Sequence, residues 1–205
     1  MKYLDFKEAL KDFTVFSLAE INKIDSRFHR RRLNDWQEKG YIKKIIKGYY
    51  IFSDLKIDEN ILFEIANKIH RPSCVSLEMA LSYYHLIPES IYAITSVSSR
   101  RPGKYETPAA VFTYKRIKPA LFFGYELVEN QGRRYKIAAP EKAVLDYFYL
   151  NPHLNSASDF DGLRIDVDSF QARIDEAKLN SFLERFSQRR LSKRVRSFFE
   201  YIKHA

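Results

Sequence analysis

Residues 26–52 read SRFHRRRLNDWQEKGYIKKIIKGYYIF: a short basic helix, a glycine stop, and a tight hairpin carrying more lysines. Projected at about 100° per residue, the segment 26–39 places Phe28, Leu33 and Trp36 in one sector, with His29 between them. Arg27, Arg30, Arg31 and Asn34 fall on the opposite side. The expected helix buries an aromatic and aliphatic stripe and turns three guanidinium groups and an amide outward. Those groups suit a DNA groove: Arg and Asn pair with guanine and adenine edges, and Arg also grips phosphate. Arg32 sits nearer the stripe and reads as a snorkelling side chain or a phosphate contact.

Upstream, Ser17-Leu18-Ala19-Glu20 has the capping-box pattern, and Phe16 is placed to pack on Ile21. A helix from about Ser17 to Lys23 leaves Ile24 and Asp25 to turn the chain, and Asp25 or Ser26 to cap the next helix. Two helices so closely joined fit a helix-turn-helix, whose second helix reads bases near its N-terminus. Beyond Gly40, the β-rich runs 41–46 and 49–52 flank Lys47-Gly48. That is a hairpin signal, with Lys43, Lys44 and Lys47 on or near its tip. A first helix is expected over residues 3–13, with Leu4, Ala9, Leu10 and Phe13 in the core. Residues 1–53 are thus predicted to form a winged helix-turn-helix DNA-binding domain. The competing reading is a solvated basic face, since charge runs alone specify little. The order of helix pair, basic helix and basic hairpin favours DNA.

The chain has 205 residues, 45% hydrophobic and 15% aromatic, enough to bury a core and unlike a disordered composition. Its net charge of +9 is unevenly spread: +5 over residues 1–52, −1 over 53–170 and +5 over 171–205. Basic ends favour an anionic partner touching the ends. The single cysteine, Cys74, rules out an intramolecular disulfide, fits a reducing cytosol, and reads as a small buried apolar residue. The N-terminus is amphipathic and unlike a signal peptide, and no apolar run approaches the ~20 residues that span a bilayer. A cytoplasmic protein without membrane contact is expected.

Residues 54–205 read as a second, α+β domain. Helices are expected over 59–70, over 76–86 with Ser76 as cap, and from Pro140 to about residue 150. Strands are expected over 91–97, 111–117, 125–128 and 134–137, the last two joined by a turn at 130–132, with a basic turn over 100–104. A polar loop (151–161) precedes helices from Asp168 onward. Leu179, Phe182, Leu183 and Phe186 form one stripe there, and Leu191, Val195, Phe198 and Ile202 another. Arg185, Arg189, Arg190, Lys193, Arg194 and Arg196 crowd the other faces, as a solvated exterior or a second phosphate-contacting surface. The fold class expected is α+β: a winged helix-turn-helix, then a mixed α/β domain with a small, mostly antiparallel sheet and C-terminal helices.

No GxSxG, HExxH, P-loop or GxGxxG motif is present. His70 and Cys74 are four apart, but two ligands do not make a zinc site. Asp159, Asp161, Asp166 and Asp168 suit turns and caps. No catalytic residue, metal or cofactor is expected. The alternatives to a DNA-binding protein are a nuclease-like enzyme in the middle region and an interaction module for an acidic partner.

With these segments laid out, the sequence resembles the AbiEi-type antitoxins of type IV toxin–antitoxin systems. The resemblance rests on Lys39-Gly40-Tyr41-Ile42 with Lys47-Gly48-Tyr49-Tyr50, on residues 75–84 (VSLEMALSYY) with Leu86-Ile87-Pro88-Glu89, on Phe122-Phe123-Gly124-Tyr125, and on Ile137-Ala138-Ala139-Pro140-Glu141-Lys142-Ala143. It covers about residues 13–150. One departure is Ala109-Ala110, where the family pattern has a glycine entering the strand. The resemblance implies a winged helix that binds inverted repeats in its own promoter, repressing an operon shared with a nucleotidyltransferase toxin. It also implies that the second domain supports antitoxin activity without direct toxin contact. Read from the residues alone, Glu141 and Lys142 look like ordinary first-turn residues, the glutamate compensating the helix dipole.

Overall fold

The computed structural model describes residues 1–88, 92–130 and 132–204. The N-terminal elements are α1 (Tyr3–Ala9), β1 (Phe16–Ser17), α2 (Leu18–Ile24), α3 (Arg31–Glu38), β2 (Ile42–Ile46) and β3 (Tyr49–Phe52). The strands form an antiparallel sheet in the order β1-β3-β2. Aromatic rings dominate the core beneath it. Phe6 is fully buried, with its ring centroid 4.5 Å from that of Trp36 and 5.4 Å from that of Phe16. Leu10, Ile21, Leu33, Ile42, Tyr50 and Phe52 complete the cluster.

One expectation fails here and one element is unforeseen. α1 ends at Ala9 and is phased on Phe6 and Leu10, so Leu4 is 76% exposed and Ala9 also faces solvent. β1 was not expected, because two residues carry no periodicity; it exists through its pairing of Phe16 and Ser17 with Tyr50 and Tyr49.

The rest of the chain runs α4 (Glu59–Ile69), β4 (Ser73–Val75), α5 (Glu78–Tyr83), β5 (Ala93–Ser98), β6 (Gly103–Glu106), β7 (Val111–Arg116), β8 (Tyr125–Asn130), β9 (Arg133–Ala138), α6 (Pro140–Leu150), α7 (Ala157–Asp161), α8 (Val167–Arg173), α9 (Glu176–Phe186) and α10 (Arg189–His204). Its strands form one six-stranded sheet, ordered β6-β7-β5-β4-β9-β8. The sheet is larger than expected, and mixed: β4–β9 and β5–β7 are parallel, the other pairings antiparallel. β4 and β6 escape a reading of the sequence because one lies in a short gap between helices and the other follows a basic turn. Ile91 of the expected strand 91–97 and Gln131 of the turn 130–132 lie outside the described residues. The departure at Ala109-Ala110 is met by Thr107, whose hydroxyl accepts from both alanine N–H groups at 3.1 Å and donates to the Ala110 carbonyl at 2.8 Å.

Strand alternation assigns the two faces of the sheet. Ser73 and Tyr114 both donate to the Ala66 carbonyl of α4, at 3.3 and 2.7 Å. Ser76, on the opposite side of the same segment, donates to Asp146 of α6 at 2.9 Å. It is therefore not the helix cap that its position suggests, and α5 is correspondingly short. α4 covers one face and α6 the other. Outside α6, α9 and α10 bury Leu179, Leu183, Phe186, Leu191, Val195, Phe198 and Ile202, as their stripes predict, whereas Phe182 is half-buried. The expected loop 151–161 contains α7, started by a capping box at Ser156 and Asp159.

The N-terminal elements rest on the α4 side. Val15, Ile45 and Ile51 belong to the larger hydrophobic cluster rather than their own. Lys68 of α4 lies 5.2 Å over the Phe13 ring, and Arg133 donates to the Thr14 hydroxyl and sits 3.7 Å from Glu64. No helix among the described residues is long and apolar enough to cross a membrane.

Candidate nucleic-acid interface

The helix pair is built as its capping residues direct. The Ser17 hydroxyl accepts from the Ala19 N–H at 3.2 Å, and the Glu20 carboxylate accepts from the Ser17 N–H at 2.9 Å. Past α2, the Asp25 carboxylate accepts from the Arg27 N–H at 3.1 Å, and the Asp25 carbonyl accepts from the Phe28 N–H at 3.1 Å. This turn occupies the residues expected to open the second helix. α3 accordingly starts at Arg31 instead of Ser26. Arg30 is its N-cap residue and makes no side-chain cap bond.

The shorter helix redistributes the predicted side chains. Leu33 and Trp36 are buried and Phe28 is half-buried, its ring 5.6 Å from that of Trp36. Arg30, Arg31 and Asn34 are exposed over the N-terminal half of α3. Arg27 is also exposed, but in the turn and not on the helix. Arg32 is exposed, and its guanidinium donates to the Met1 carbonyl, which ties the chain start to α3. Asp35 and Glu38 are exposed farther along α3, so its cationic character is confined to the first turn.

On the hairpin, Lys43, Lys44 and Lys47 are all exposed. Adjacent residues of a regular strand face opposite sides. Here the register shifts between Lys44 and Ile46, and the buried isoleucines of β2 are Ile42 and Ile45, three apart. Lys47 stands at the turn with Gly48, whose φ of +90° is the left-handed geometry glycine adopts without strain. Among the described residues, no acidic side chain pairs with Arg27, Arg30, Arg31 or these three lysines.

A second cationic group adjoins the N-terminal elements and is not legible in the sequence. Lys68, Arg71, Arg100, Arg134 and Lys136 line an open groove of about 670 Å³. They come from α4, the segment after it, the segment after β5, and β9. Glu64 also lines the groove, but it is engaged by Thr14 and Arg133.

The charges at the start of α6 are structural, as their reading as ordinary helix residues implies, but they are covered instead of facing water. Glu141, Lys142 and Asp146 are 2%, 1% and 0% exposed. Lys142 pairs with Asp146, and Lys178 reaches Glu141 at 2.9 Å. Gly124, at φ +68°, lies so close that a Cβ there would come within 2.9 Å of the Phe182 ring and 3.2 Å of the Lys142 stem. This is a packed structural junction. Cys74 is buried, as expected, and burial raises its thiol pKa far above the ordinary value. Asp159 and Asp166 act as the caps their setting suggested. Among the described residues, no group of three or more His, Cys, Asp or Glu side chains is placed to hold a metal ion.

A scan against protein-family models and a search of curated proteins both find no match.

Proposed function

We propose that this chain is a DNA-binding transcriptional autorepressor and the antitoxin of a type IV toxin–antitoxin pair, acting against a nucleotidyltransferase toxin. In this reading residues 1–53 are a winged helix-turn-helix, with α3 as recognition helix and the β2–β3 hairpin as wing. Residues 54–205 carry the antitoxin function. The observation that carries the DNA reading is the first turn of α3. Arg30, Arg31 and Asn34 are exposed there at a helix N-terminus without a side-chain cap, where the helix dipole also favours phosphate. The unpaired lysines of the hairpin and the cationic groove beside α4 extend the same chemistry. The resemblance to AbiEi-type antitoxins supplies the operator, inverted repeats in the chain's own promoter, and the toxin.

The test is promoter binding by the purified full chain. Affinity should fall by about 0.9 log units per log unit of salt for each phosphate neutralised. The Arg30→Ala/Arg31→Ala protein should lose its preference for the promoter over scrambled DNA. Lys44→Ala/Lys47→Ala should weaken both duplexes alike, and so should Arg27→Ala, because Arg27 stands in the turn. Unchanged promoter preference in the Arg30/Arg31 variant rejects α3 as the reading helix.

A further inference from the structure

The C-terminal helix presents a cationic surface that the DNA reading of residues 1–53 does not use. Residues 189–196, RRLSKRVR, hold five cations and no acid. Arg194 is committed to the fold, donating to the carbonyls of Asn151 and Leu154 at 2.9 and 3.4 Å. Arg189, Arg190, Lys193 and Arg196 are exposed, and among the described residues none has an acidic partner. Together with the end of α9, Arg189, Lys193 and Arg196 flank an open groove of about 770 Å³. Glu184 and Glu200 line it too, Glu200 with Lys203 at 3.4 Å.

Two features of this arrangement work against the fold, offset in part by Glu200 four residues beyond Arg196. The cations occupy the first two turns of α10, where the helix dipole already places positive charge. Arg189 and Lys193 are four apart, and Lys193 and Arg196 three, so like charges neighbour one another on one face. An anionic ligand would relieve both repulsions.

The surroundings narrow the ligand. Leu191, Val195, Phe198 and Ile202 are at most 4% exposed, so α10 has no apolar face left to enter a lipid surface. Phe198 is buried and Phe199 and Tyr201 are half-buried, leaving no open ring for stacking unpaired bases. Leu183, the apolar side chain among those lining the groove, is 4% exposed and serves the chain's own core, so an acidic peptide would meet charge there but no exposed apolar side chain to anchor it. What remains is a row of guanidinium and ammonium groups about 10 Å long, at 1.5 Å per residue. A nucleic-acid duplex presents about six phosphate charges over that length.

We infer that the outer face of α10 is a second, sequence-blind site for the phosphodiester backbone of a nucleic-acid duplex. It lies on the α6 side of the six-stranded sheet, whereas the N-terminal elements rest on the α4 side. The two cationic surfaces are therefore separate sites.

The test uses the full chain carrying Arg30→Ala, Arg31→Ala, Lys44→Ala and Lys47→Ala, so that it does not depend on promoter recognition. Scrambled DNA and RNA duplexes of equal length are the probes. Adding Arg189→Ala, Arg190→Ala, Lys193→Ala and Arg196→Ala should weaken binding at least tenfold. The slope of log affinity against log salt should become shallower by about 3.6, or 0.9 for each cation lost. A loss on DNA alone, RNA alone or both supports the site and names its source. Unchanged affinity and slope on both probes overturn it, as does a polyglutamate chain bound through these residues as tightly as the duplexes. The α10 variant should melt at or above the temperature of its parent; a fall of several degrees would mean that the cations serve the fold, and would also overturn the inference.

Discussion

Lys142 and Asp146 lie one turn apart on α6, both out of water. Asp146 takes the Lys142 ammonium on one oxygen and the Ser76 hydroxyl on the other. Burial pushes the Asp146 carboxyl above its ordinary range, against the opposing pull of Lys142 and Ser76. Lys142 also lies 5.3 Å from the centroids of both Phe123 and Phe186, so its charge is partly met by ring faces. Removing one partner leaves a buried charge alone. Asp146→Ala should destabilise the protein by about 3–5 kcal/mol, while Lys142→Met/Asp146→Leu should recover most of that loss. Denaturant unfolding of the single and double variants measures both. A loss below about 1 kcal/mol in Asp146→Ala would show that the pair is not isolated from water. In sequence these residues look like any pair of charges one turn apart on a helix, because nothing local distinguishes a charge that will be covered from one that will not.

At the scale of elements, α2 is the case in which local chemistry suffices. Ser17 and Glu20 satisfy each other's backbone, as a four-residue pattern allows. Ser17→Ala should cost about 1 kcal/mol, read as a lower unfolding midpoint. Burial works against the Glu20 charge, but the Ser17 hydroxyl and N–H hold the carboxyl below the ordinary glutamate range. A carboxylate depressed in the folded state contributes stability above its unfolded pKa and loses it as pH falls through the folded value. The stability difference between the native chain and Glu20→Gln should therefore shrink as pH drops below 4.5, the ordinary value. A difference constant with pH would contradict this cap. α3 shows the converse. Its stripe of Leu33 and Trp36 is legible, but its start is not, because Asp25 closes the preceding turn instead of capping the helix. Five residues of shift move Arg27 off the helix, and Asp35 and Glu38 then limit the usable face to its first turn.

For the molecule as a whole, the N-terminal elements do not hold all of their own core. Val15, Ile45 and Ile51 are 0%, 4% and 2% exposed, and they pack with the larger cluster. Residues 1–53 expressed alone should uncover these three and fail to unfold cooperatively, as followed by circular dichroism on heating. A sharp transition in that fragment would mean that its aromatic cluster is sufficient. The same packing places α3 and its hairpin on the α4 side, with α10 beyond the opposite face of the sheet. The two basic ends of the chain become two separate cationic surfaces, which charge counting along the sequence could not have separated.

Read alone, the sequence determined what depends on near neighbours: the cap of α2, the turn at Gly48, the span of α6, the core positions of α10, and the basic ends. Only the tertiary structure decided the strands β1, β4 and β6, the parallel pairings, the covered charges of α6, and the placement of Arg27 and Arg32. The physical reason is distance along the chain. A cap or an amphipathic stripe is satisfied within a few residues, whereas a strand of two to four residues, and the covering of a charged pair such as Lys142 and Asp146, depend on elements that folding brings from far along the chain.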